Sequence, residues 1–172
     1  SNNMKTYQDF KKDEVIKSKI DVTCIGAFDG LHRGHIELIK KTKEIDNNFQ
    51  IVTFNEIPKI YFDNNLKPLL DKNNRNIIFN EYKPTNLIYL KFDEINEFSS
   101  DDFLKFLDIN LNTNKIVVGK DFRFGKNRTG EVNNIINYFG ENNVILLSDY
   151  LIENEKVSST KIRKYLDNGN IK

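Results

Sequence analysis

At 172 residues and a formal charge of +1, the chain can bury a full core in one domain and is too evenly charged for wholesale nucleic-acid binding. A single cysteine, Cys24, excludes a disulfide framework and fits a reducing, cytoplasmic setting. No apolar run approaches a membrane span, so neither nucleic acid nor membrane is an expected partner.

Ser1-Asn2-Asn3 precedes the only methionine, Met4, and reads as a remnant ahead of the native start, leaving residues 4–172 as one domain. Lys outnumbers Arg by 21 to 5, a bias best ascribed to coding. In such a chain a surviving arginine is one that needs its planar fork. Four of the five, Arg33, Arg123, Arg128 and Arg163, fall in the three segments that carry chemistry below.

In chain order, Asp21–Ile25 reads as a strand and Gly34 to about Ile45 as a helix. Gln50–Phe54 is a second strand. The connection Asn55–Leu69, with Pro58 and Pro68, is long for a compact domain and so is either mobile or ligand-related. Asp71 caps a helix through about Tyr82, and Asn86–Phe92 is a third strand. Ser100-Asp101-Asp102 opens a helix through about Leu111, and Lys115–Val118 is a fourth strand. After a basic glycine loop, Glu131–Phe139 is a helix stopped by Gly140. Asn143–Leu147 is the fifth strand, and Ser159–Leu166 a last helix stopped near Gly169. Short strands alternating with helices predict an α/β fold, a Rossmann-like doubly wound parallel sheet of about five strands with helices on both faces. In such folds ligands gather beyond the carboxyl ends of the strands, where strand order switches.

Gly26-Ala27-Phe28-Asp29-Gly30-Leu31-His32-Arg33-Gly34-His35 holds both histidines and three of the eight glycines. A strand that breaks into a glycine turn and restarts as a helix is suited to phosphate, because unpaired N–H groups converge at the helix start. Gly26 and Gly30 would permit turn geometries closed to other residues, and Gly34 would let a ligand approach. His32 and His35 lie one helical turn apart, so both imidazoles can share a face. Metal binding lacks a third soft ligand, and a core role suits one histidine better than a glycine-framed pair. Stabilising charge on a phosphate in a transition state suits both. Asp29 reads equally well as an orienting group or a turn residue.

The second segment, Gly119-Lys120-Asp121-Phe122-Arg123-Phe124-Gly125-Lys126-Asn127-Arg128-Thr129-Gly130, leaves the fourth strand. If it is extended, Phe122 and Phe124 point opposite to Asp121 and Arg123. Rings beside a guanidinium suit a flat heteroaromatic ligand with a phosphate tail. The third segment, Val157-Ser158-Ser159-Thr160-Lys161-Ile162-Arg163, sets hydroxyls at a helix start with Arg163 returning to the same face. Hydroxyls there are often only caps, but with a guanidinium they could hold a pyrophosphate.

The first segment resembles the His-x-Gly-His nucleotidyltransferase superfamily. Its longer form, Gly-x-Phe-Asp-Gly-x-His-x-Gly-His, is similar to the adenylyltransferase domain of bacterial FAD synthetase, the riboflavin kinase/FMN adenylyltransferase. The second segment is similar to that family's Val-Val-Gly-x-Asp-Phe-Arg-Phe-Gly signature. The third resembles its Ser-Ser-Thr-x-x-Arg motif, with Lys161 where arginine is common. The resemblance implies transfer of AMP from ATP to FMN, giving FAD and pyrophosphate, with Mg²⁺ accompanying ATP and no metal held by the protein alone. It implies catalytic roles for His32, His35 and Arg163. ATP would be bound by Gly26, Phe28, Asp29, Gly34, Ser158, Ser159 and Thr160. Asp121, Phe122, Arg123, Phe124, Gly125 and Arg128 would place the flavin or nucleotide.

Two departures qualify this. The family often reads Phe-x-Pro-His-Pro after its second strand, whereas Phe54-Asn55-Glu56-Ile57-Pro58 lacks the first proline and the histidine. No riboflavin kinase domain is expected within these residues, so a further domain or a separate kinase would supply FMN. Two other readings stay open: a nucleotidyltransferase with a different phosphorylated acceptor, and a non-catalytic flavin- or nucleotide-binding remnant.

Overall fold

The computed structural model describes residues 4–31, 33–55 and 72–148, with the backbone alone for Gly30, Lys72 and Asn73. The elements run β1 Lys5–Phe10, β2 Val22–Ile25, α1 Arg33–Ile45, β3 Phe49–Phe54, α2 Lys72–Glu81 and β4 Asn86–Leu90. They continue through α3 Phe92–Ile95, α4 Ser100–Lys105, β5 Lys115–Gly119, α5 Val132–Phe139 and β6 Val144–Leu147. The expected cap Asp71 and helix Ser159–Leu166 lie outside the described residues, as does nearly all of the connection Asn55–Leu69.

All strand pairs are parallel, in the order β1-β4-β3-β2-β5-β6. The inner strands carry almost unbroken apolar runs because helices cover both faces of the sheet. Their alternation sorts two cores. Ile25, Val52, Ile88, Val118 and Leu146 face one way, with Phe92, Phe103 and Ile135 from α3, α4 and α5. Cys24, Ile51, Leu87, Val117 and Ile145 face the other, with Leu38 and Ile39 of α1 and Phe79 of α2. Polar groups within the strands satisfy one another, as burial demands. Gln50 Nε2 donates to Thr23 Oγ1 at 3.1 Å and to the Leu111 carbonyl at 2.7 Å, while Asn86 Nδ2 donates to Gln50 Oε1 at 3.0 Å. This chain of bonds ties β2, β3 and β4 at one end of the sheet.

From β2 the chain winds outward through β3 and β4, then returns to place β5 on the other side of β2 and β6 beyond it. The winding therefore reverses between β2 and β5.

The sheet has six strands among the described residues, not about five. The extra one, β1, hides in the sequence because only Phe10 of its six residues is buried. It is an edge strand paired with β4, anchored by Phe10 against Tyr7 and Phe106 at 5.7 and 6.0 Å between ring centres. An edge position tolerates its polar side chains. The strand expected to reach Phe92 ends at Leu90, and Phe92 and Ile95 instead turn into the core on the short α3.

The helix expected through Leu111 is α-helical only to Lys105 and then widens to a π-turn over Phe106–Asn110. There the Leu111 N–H donates to the Phe106 carbonyl at 3.0 Å, and Phe106, Leu107 and Leu111 are all buried. The helix begins at Ser100 as expected and is capped by Ser99, whose hydroxyl accepts from the Asp102 N–H at 3.1 Å. Glu131 and Asn134 form a reciprocal capping box at α5, and Gly140 ends that helix at φ 91°.

Candidate active site

The histidine turn leaves β2 and the basic aromatic segment leaves β5, so both issue from the carboxyl ends of adjacent strands at the reversal of winding. Ile25 of β2 is in register with Val118 of β5, which sets Gly26 and Gly119 side by side at the mouth of the crevice. A Cβ on Gly119 would meet nothing within 4 Å, so no packing demands glycine there.

Gly26 does not take the turn geometry expected of it. Gly26 lies outside the left-handed region, and a Cβ there would touch the Phe28 ring at an ordinary 3.5 Å. The left-handed positions are Phe28, at φ 54°, and Leu31, at φ 45°. Each conformation costs roughly 1–2 kcal/mol for an L-residue with a side chain. Burial offsets it, since a fully buried large apolar side chain contributes about 1.5–3 kcal/mol. Phe28 is 1% exposed, and its ring meets Phe79 and His35 edge-on, each at 5.4 Å. The turn is thus held by core side chains rather than permitted by their absence.

Beyond it a single 3-10 turn, Asp29–Leu31, leads into α1, where Arg33 is exposed and Gly34 and His35 are half-buried in the first helical turn. His32 lies outside the described residues. Behind the turn, Thr53 Oγ1 and Arg75 Nη1 both donate to the Ala27 carbonyl, at 3.1 and 3.3 Å. Cys24, beneath it, has its thiol pushed up to about 12 by burial, which makes it inert at neutral pH.

At the β5 exit, the Phe122 N–H donates to the Gly119 carbonyl at 3.1 Å and begins a closed loop. Phe124 and Gly130 exchange two main-chain hydrogen bonds, of 3.2 and 2.8 Å. A Cβ on Gly130 would lie 2.3 Å from the Phe124 ring, so this glycine is required. Gly125, at φ +78°, passes so close to α4 that a Cβ would lie 2.9 Å from the Ser100 nitrogen.

Three rings form a ladder: Phe103 on Phe124 at 5.2 Å and Phe124 on Phe122 at 5.8 Å. Phe124 is 4% exposed, so it can only brace Phe122, whose half-buried ring ends the ladder. Asp121 and Arg123 are exposed, in keeping with rings and charges pointing apart. Arg123 Nη2 lies 3.5 Å from Glu131 Oε1, and Lys126 Nζ 3.5 Å from Glu97 Oε1, so two of the loop's cations already face carboxylates. Arg128 is exposed in a left-handed turn at φ 57°.

Ser158, Ser159, Thr160 and Arg163 lie outside the described residues. The structure adds Thr53 and Arg75, which no motif contains. Their one sequence signal is that Arg75 is the fifth arginine of a lysine-rich chain.

The chain is similar to known proteins. A bifunctional riboflavin kinase/FMN adenylyltransferase of Buchnera aphidicola subsp. Acyrthosiphon pisum is 34% identical over 161 residues, which cover 88% of this chain and 51% of that protein. A Listeria monocytogenes FAD synthetase is 30% identical over 165 residues, covering 88% of this chain and 65% of that one. The chain thus spans about half the length of the first relative and under two thirds of the second. A crystal structure described as a macrolide-efflux protein from Streptococcus pneumoniae superposes with a TM-score of 0.71 at 26% identity, over 99% of this chain and 60% of that one. No helix among the described residues is long and apolar enough to cross a membrane. A family model described as FAD synthetase matches residues 15–161, a span that takes in both strand exits, and the chain belongs to that family.

Proposed function

We propose that this chain is an FMN adenylyltransferase, joining AMP from ATP to FMN. The observation that carries the reading is the convergence of the histidine turn and the aromatic loop on one crevice, between β2 and β5. An oxygen of the FMN phosphate attacks the α-phosphorus in line, the bond to the bridging oxygen breaks, and pyrophosphate leaves with that electron pair. No protein nucleophile is needed, so positioning and charge neutralisation dominate.

In this reading His32 and His35 donate hydrogen bonds to the α-phosphate and bridging oxygens at the start of α1. Gly26, Phe28, Asp29 and Gly34 shape the floor on which ATP lies. Ser158, Ser159, Thr160 and Arg163 hold the departing β- and γ-phosphates. The flavin lies toward Phe122, the open end of the ring ladder, with Asp121, Arg123, Gly125 and Arg128 around it and Phe124 behind.

Mg²⁺ bound to the triphosphate would supply charge neutralisation at its oxygens. Mg²⁺ held on phosphate oxygens needs few protein ligands. The free, buried thiol of Cys24 suits a cytoplasmic setting, with FMN delivered by a kinase domain or a separate kinase.

Incubation with ATP, Mg²⁺ and a panel of acceptors tests the reading. FMN should yield FAD and pyrophosphate in equal amounts, and phosphopantetheine, nicotinamide mononucleotide and glycerol phosphate should yield none. Product with another acceptor alone would reassign the substrate. ATP binding without any product would make the chain a non-catalytic remnant.

A further inference from the structure

Arg75 is the arginine that no sequence motif claimed, and it is 2% exposed. It projects from the first turn of α2 and reaches two strand exits at once. Nη1 donates to the Ala27 carbonyl after β2, and Nη2 to the Phe54 carbonyl at the end of β3, each at 3.3 Å. The guanidinium sits 5.4 Å over the Tyr89 ring, while Nε finds no hydrogen-bond partner among the described residues. Burying a cation is costly, and one that leaves a donor unused is not placed there to satisfy itself.

What it does satisfy is the peptide plane between Ala27 and Phe28. Thr53 Oγ1 donates to the same carbonyl at 3.1 Å, so two donors from different elements fix that plane. The angle between the plane and the rest of Phe28 is φ of Phe28, here 54°. With the plane held by Arg75 and Thr53 and the ring held by Phe79, the left-handed state is over-determined. Without the fork, one of the two donors that oppose the strain at Phe28 is gone. The Phe28 ring is also the wall against which His35 is set, at 5.4 Å.

We propose that Arg75 is a positioning residue: its buried guanidinium ties the β2 exit to the β3 exit and so sets the imidazole of His35 for its work on phosphate. The catalytic half of this statement rests on the proposed adenylyl transfer; the positional half does not. A lysine would keep the charge but lose the planar, two-pronged donor.

The experiment compares Arg75→Lys and Arg75→Met with the wild type by thermal melting, steady-state kinetics and NMR of the imidazole nitrogens. The chain has only two histidines, so His35→Gln assigns both signals. In folded variants the His35 resonances should shift or broaden. The turnover number should fall roughly 10- to 100-fold, as for a misplaced catalytic group, with KM for ATP changed less than about threefold. Unmoved imidazole signals, or an unchanged turnover number, in a folded variant would overturn the proposal. So would failure of both variants to fold, since the guanidinium would then serve the fold as a whole. Should the wild type form no FAD, the imidazole shifts still decide the positional claim, and the two readings fail separately.

Discussion

The two strand exits that meet at the sheet reversal are held in different ways. The β2 exit is braced from within: two left-handed non-glycine residues, a buried ring, and donors from β3 and α2 converging on one carbonyl. The β5 exit is braced by stacking and by its glycines, with two of its cations on the surface facing carboxylates. Transition-state stabilisation requires donors fixed to within fractions of an ångström, whereas holding a flat substrate requires only a face and its support. Under the proposed function, the contrast suits the first exit to chemistry and the second to acceptor binding.

Substitutions can break that division of labour. The largest effect is expected for His35→Ala, which should lower the turnover number about 10²- to 10³-fold, as loss of an oxyanion donor does, with little change in KM for ATP. Equal loss in KM and turnover would move His35 from chemistry to binding. Gly130→Ala forces a methyl into the Phe124 ring and should cost about 1–3 kcal/mol by thermal melting. Because Phe124 carries Phe122, KM for FMN should rise in the same variant while ATP binding holds.

Phe122→Ala removes only the outer ring and should raise KM for FMN roughly tenfold, the scale of one aromatic stack with its buried area. A fall in turnover number with KM unchanged would erase the contrast between the exits. Arg123→Ala is the smallest change. Its ion pair with Glu131 is 44% and 56% exposed, and such pairs contribute under about 1 kcal/mol to stability. A rise in KM for FMN beyond a few-fold would show that the guanidinium leaves Glu131 for the substrate.

Most of the fold was legible because buried parallel strands and amphipathic helices write themselves as apolar runs and periods. β1 was not, since a polar edge strand with one buried residue has no pattern of its own. The π-turn after Lys105 was not either, because its apolar residues fit a continued helix equally well. In the candidate site, the segments at both exits stood out through scarce residues: two histidines, clustered glycines, arginines among lysines.

What could not be read was how the β2 turn is held. Phe28 and Leu31 look like ordinary core residues, and only the structure reveals that they adopt left-handed conformations while Gly26 does not. Alternation puts Phe124 on the same side as Phe122, but it reports a side and not a depth, and Phe124 is buried. Arg75 lies 40 residues after His35, and its role depends on carbonyls, which leave no trace in a sequence.

The central claim, adenylyl transfer to FMN, is tested most directly by following the α-phosphate of ATP. With α-labelled ATP, FMN and Mg²⁺, the account predicts label in FAD at one equivalent per pyrophosphate released. Label appearing only as free AMP, or remaining in ATP while FMN is bound, would contradict it.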